Sequence, residues 1–159
     1  MTEHEPARVN VSAEFREGYR ALAALEAVVA SAGLDRLLVE LVKTRSSQLN
    51  GCAYCIDMHT KDARAYGETE QRLYALNGWR ETPFFSEKER AALALTEAIT
   101  LVAETHVPDA VVDEALEWFE PAEYARLVFL IGTINMWNRM AVTSRLPVGG
   151  YVSRVSPEA

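Results

Sequence analysis

Cysteine is scarce in this chain: two among 159 residues, both within NGCAYCIDMH, positions 50 to 59. A scaffold held by several disulfides is therefore excluded. A chain of this length needs none, because folding removes most of its unfolded surface from water. Basic residues are also short, 16 Lys and Arg against 23 Asp and Glu, for a net charge of −7. Nucleic acid is excluded as a partner on that balance, since a phosphate backbone calls for a basic face. The positive charges are scattered, which leaves no polybasic membrane anchor. Long hydrophobic runs are missing too. The longest, LVFLIGTINMW from Leu127 to Trp137, is too short and too polar to span a bilayer. The first residues, MTEHEPARVN, lack the basic and apolar regions of a signal peptide. The expected location is the cytoplasm, where thiols rest reduced and a close cysteine pair serves catalysis, redox exchange or metal binding rather than permanent stapling.

Strand alternation, internal repeats and low-complexity segments are absent as well. Helical periodicity is everywhere. Ser12 reads as a cap for a helix carrying Phe15, Tyr19, Leu22, Leu25 and Val29, with Gly33 as its stop. A second helix runs from Asp35 to Leu49 and breaks at Asn50-Gly51. A third starts near Cys52 and ends before Gly67, and a short one spans Thr69 to Leu76. Ser86 to Glu89, SEKE, is a capping box for a helix carrying Leu93, Leu95, Ile99 and Val102. Pro108 and Pro121 open two more. The last is apolar almost all round from Leu127 to Met136 and calls for burial on several sides, part of it against another subunit. The expectation is an all-α fold of about seven helices in a single domain over residues 1–159.

The chemistry concentrates at Cys52, Cys55 and His59. The Asn50-Gly51 break puts Cys52 at a helix N-terminus, where exposed N–H groups and the helix dipole favour thiolate. Cys55 follows one turn later on the same face, and His59 another turn on, where an imidazole can take and return a proton. A second base near His59 would complete a relay. Glu40, in the apolar context LLVELV, is the candidate, because a carboxylate among leucines is costly to bury unless it is hydrogen-bonded. The bland alternatives are specific. Glu40 pairs with Arg36 or Arg45 on a helix surface; Cys52, Cys55 and His59 hold zinc, completed by His106 or another subunit; His4 and His106 have no specific role. Trp79, Phe84 and Phe85 read as core or interface anchors; the polar residues of NMWNRM, Asn135 to Met140, read equally as an internal network or pocket lining and as a partly exposed helix end with one tryptophan packed.

A glutamate twelve positions before Cys-x-x-Cys-x-x-x-His resembles the alkyl hydroperoxidase D-like group of the carboxymuconolactone decarboxylase superfamily. RSSQLNGCAYCIDMHTKDAR, Arg45 to Arg64, and WRETPFFSEKERAALALTEAIT, Trp79 to Thr100, resemble its core, and the likeness covers roughly residues 35 to 145. The resemblance implies an all-α homo-oligomer, trimeric or hexameric, with thiol-dependent peroxidase activity and no bound cofactor or metal. It implies Cys55 as the cysteine that becomes sulfenic acid and Cys52 as proton donor and resolving thiol. His59 and Glu40 become the proton relay, and an external dithiol or protein reductant restores the pair. The best-studied members carry a histidine beside the second cysteine; here Tyr54 stands there, a poor base near neutrality. A general thiol–disulfide oxidoreductase, a lactone-processing decarboxylase and a redox-sensing oligomer without turnover are the rival readings.

Overall fold

A cap, a run of helix and a left-handed or extended break recur along the chain, which is known here from a computed structural model describing residues 8–155. Among these residues the regular elements are all helical: α1 (Val11–Glu14), α2 (Arg16–Ala30), α3 (Arg36–Leu49), α4 (Ala53–Ala65), α5 (Glu70–Ala75), a 3-10 helix (Leu76–Glu81), α6 (Glu87–Thr100), α7 (Val102–Thr105), α8 (Asp109–Trp118) and α9 (Pro121–Ser144). His4 lies outside the described residues.

Caps decide where the helices begin. Asp35 accepts from Leu38 N–H at the start of α3, and Thr69 from Arg72 N–H at the start of α5. Ser86 and Glu89 form the reciprocal capping box expected for α6. Pro121 occupies the first turn of α9, where its missing N–H costs nothing. The first helix departs from expectation. Its cap is Asn10 rather than Ser12, and the chain breaks at Phe15 (φ −128°, ψ 72°) into α1 and α2. The Phe15 ring folds back over Gly18, where a Cβ would come within 2.4 Å of it. The helix expected to run through Val102 likewise breaks at Leu101 (φ −98°, ψ 33°), so α7 is a separate turn. Neither break carries glycine or proline to announce it.

Helix α3 is the axis of the structure and packs against α4, α6 and α9. Alanines 91, 92, 94 and 98 on α6 are buried, which lets that helix come close. Residues on every side of α3 are buried, polar ones included, so each needs a partner. Lys43 reaches Glu26 of α2 at 2.5 Å, Arg45 reaches Glu97 of α6 at 2.8 Å and Asn77 at 2.7 Å, and Ser46 bonds Thr100 at 3.2 Å. Trp79 and Phe85 are core anchors beside Leu41, Leu76 and Leu93. On α9, Leu127, Leu130, Ile131 and Ile134 are buried, whereas Phe129 and Met136 face outward.

Two substitutions should separate local from core contributions in urea unfolding. Ser86→Ala should cost about 1 kcal/mol through the lost cap, and Leu41→Ala about 2–5 kcal/mol through the cavity it leaves.

Candidate functional site

Helix α3 ends at Leu49, and the chain turns back within three residues. Asn50 caps α3, Gly51 sits at φ +63° in the left-handed region, and Cys52 is the N-cap of α4. A glycine at that position is what a left-handed helix stop requires. The tight corner runs α4 back along α3 and fixes which of their turns face each other.

Cys52 therefore stands at the N-terminus of α4, and Cys55 and His59 follow at successive turns. Both cysteines are free thiols and nearly fully buried, at 1% and 4% exposure. They pack with Ile134 and Ala141 of α9. The Cys55 thiol donates to the Cys52 sulfur, and this bond is the largest cause that brings Cys52 down to about 7. Burial opposes the shift; the N–H groups of Cys55 and Tyr54 in the first turn assist it. The same bond, with burial and the neighbouring charge, pushes Cys55 well up and keeps it protonated. Cys52 is thus the acidic thiol of the pair.

Glu40 meets His59 at 2.8 Å (Oε2 to Nδ1), with both residues buried at 7% exposure. A carboxylate can only accept, so Nδ1 carries the proton. Neither alternative arginine takes Glu40: Arg45 is held by Glu97, Gln48 and Asn77, and Arg36 lies over the Tyr66 ring. One turn past His59, Asp62 accepts from the Tyr151 hydroxyl at 2.9 Å on both oxygens, and Lys61 donates to the Tyr151 carbonyl at 2.9 Å. Burial first, then the bond to Asp62, pushes the Tyr151 phenol up. The segment after α9 is thereby strapped to α4.

A cavity of about 550 Å³ opens beside these groups. Cys55, His59, Glu40 and Asp62 contribute to one wall; Tyr19, Tyr54 and Trp137 supply aromatic faces. Tyr19 and Trp137 meet edge to face at 5.6 Å, and the Trp137 indole donates to Glu26 at 3.0 Å. Glu40, His59 and Asp62 each bring one atom within 4.8 Å of the others, a spacing that suits a cation. The thiols belong to no such group among the described residues, and His106 is exposed, so the zinc set of Cys52, Cys55, His59 and His106 is not assembled.

Two groups at the site have weak signals in the sequence. Asp62 shares the face of His59 at i+3, but Tyr151 lies 89 positions away and only the fold joins them. Asn138 belongs to the polar run on α9, and it donates to Ser47 at 3.0 Å and accepts from Asn50 at 2.9 Å. Of the two readings open for NMWNRM, Asn135 and Asn138 follow the internal network, bonded to Asn50, Thr100 and Ser47.

A sequence model of the carboxymuconolactone decarboxylase family matches residues 16–98. The uncharacterized protein YdfG of Bacillus subtilis is 45% identical over 126 residues, 79% of this chain and 86% of that protein. YnjA of Escherichia coli, also uncharacterized, is 30% identical over 117 residues, 74% of this chain and 64% of its own. The crystal structure of ATU0492 from Agrobacterium tumefaciens superposes with a TM-score of 0.88 at 38% identity, over 92% of this chain and all of that one. ATU0492 is a protein of unknown function suggested to be the antioxidant defence protein AhpD.

Alkylation rates against pH check the thiol assignment. Cys52 reactivity should rise through pH of about 7 and level off above it. Cys55→Ala removes the main stabiliser of the Cys52 thiolate, so the midpoint should move upward, toward that of an ordinary cysteine.

Proposed function

Because the chain belongs to the carboxymuconolactone decarboxylase family, as an AhpD-like member, we propose that it is a thiol-dependent peroxidase. The observation that carries this reading is the shared cavity: a thiol, Cys55, and a buried imidazole–carboxylate pair, His59 and Glu40, line one space.

Cys52 is the resting thiolate, but of the two sulfurs Cys55 lines the cavity. When a hydroperoxide enters, Cys52 takes the Cys55 proton across their hydrogen bond. The Cys55 thiolate attacks the outer peroxide oxygen, the O–O bond breaks, and the alkoxide leaves with a proton from Cys52. The products are Cys55 sulfenic acid and an alcohol. Cys52, a thiolate again once its proton has gone to the alkoxide, then attacks the Cys55 sulfur; the hydroxide leaves as water with a proton relayed by His59, and the disulfide closes. An external dithiol reduces it in turn. Glu40 orients the imidazole and stabilises it when charged, leaving Nε2 to exchange protons. This cycle has no step that needs a bound cofactor, and it suits a reducing, cytoplasmic setting. No helix among the described residues is long and apolar enough to cross a membrane.

The apolar side of α9 that remains exposed, Phe129 and Met136 at 60% and 48%, supports self-association, and we assign that face to a homo-oligomer. Sedimentation velocity should show a multimer that Phe129→Glu weakens; a monomeric wild type at the same concentration rejects the assignment.

Peroxide consumption with several dithiol reductants tests the reaction. Cys52→Ser and Cys55→Ser should abolish turnover, and His59→Ala should lower it by about a hundredfold or more. Undiminished turnover in Cys55→Ser removes the mechanism.

A further inference from the structure

Both sulfurs lie against the same stretch of α9, where Ile134 and Ala141 pack on the two cysteines. Asn138 falls between those two residues on that helix face and is fully buried, at 0% exposure. Its amide cannot turn freely. Asn50 donates to its oxygen at 2.9 Å, so its nitrogen points the other way, toward Ser47 Oγ at 3.0 Å. Ser47 is itself beside the thiols: its carbonyl accepts the Cys52 N–H at 2.9 Å, and its hydroxyl is given to the Lys43 carbonyl at 2.7 Å. An amide nitrogen has two hydrogens. One goes to Ser47; the other is left for the thiols, since Asn138 is among the hydrogen-bonding side chains that favour the charged form of Cys52 and of Cys55.

We propose that Asn138 is the charge-holding donor of the redox centre: its second amide hydrogen, aimed by Asn50 and Ser47, stabilises negative charge on whichever sulfur of the pair bears it. This rests on the reading of Cys52 and Cys55 as a redox pair. In the cycle above, charge sits on Cys52 at rest, on Cys55 during attack and on Cys52 again during disulfide closure. A donor fixed between the two serves each stage without reorganising. The direction of the shifts agrees. A hydrogen bond from Asn138 favours the charged form of both thiols, although the bond between the thiols outweighs it.

The test is the midpoint of thiolate formation, read by ultraviolet absorbance and by alkylation rate with no peroxide present. Failure of the peroxidase reading therefore leaves this readout intact. In folded Asn138→Ala, verified by circular dichroism, the Cys52 midpoint should rise by about one pH unit, a roughly tenfold loss of thiolate below it. Asn138→Asp keeps the shape but sets a carboxylate beside the sulfurs, so it should raise the midpoint further than alanine does. A role in packing alone predicts the reverse order, with the isosteric variant the milder. Asn135→Ala removes a neighbour in the same network that bonds Thr100 and Asn50 instead, and it should leave the midpoint in place. An unmoved midpoint in either Asn138 variant, or an equal shift in Asn135→Ala, overturns the proposal. If neither Asn138 variant folds, Asn50→Ala decides: loss of the clamp should move the midpoint upward, and no movement overturns the proposal.

Discussion

Glu40 and His59 touch at 2.8 Å in a place where water hardly reaches either of them. A buried charge without a partner is among the costliest features a fold can carry, and a buried pair is tolerable only with good geometry. The rest of the site follows from that constraint. Helices α3 and α4 must run side by side with these two turns level. The corner at Gly51 achieves this with almost no slack, and the same corner makes Cys52 the first residue of α4's positive end. One turn geometry thus sets both the Glu40–His59 contact and the place of Cys52 at a helix end.

The two sulfurs divide their tasks by different physical means. Acidity belongs to Cys52, through the proton lent by Cys55 and, after it, the N–H groups of the helix end. Access belongs to Cys55, which has the cavity in front of it. In sequence these look contradictory, because the dipole points to one cysteine and the family likeness to the other. A hydrogen bond between the thiols would reconcile them on the proposed reading, with the acidic partner as base for the one that lines the cavity.

What the sequence made legible was whatever has a short-range cause. The capping box at Ser86, the proline start of α9, the Asn50-Gly51 break and the one-turn register of Cys52, Cys55 and His59 are all written within a few residues. Glu40 was legible mostly from its spacing to the cysteine motif in the family it resembles, and in part because a charge among leucines demands a partner. The breaks at Phe15 and Leu101 were not, because no glycine or proline marks either of them. Tyr151 on Asp62 was beyond reach for a different reason: no periodicity links a residue in the terminal strap to the middle of α4. The polar run on α9 was visible, but its partners on α3 could be named only once the helices were docked.

The cysteines sit within one turn at the start of a single helix, with Asn138 and Ile134 closing over them from α9. Thiols spaced this way can bridge by rotating their side chains, within the separation that a disulfide accepts. Oxidation and reduction should accordingly be quiet events, in which two sulfur atoms swing and the surrounding rods stay put.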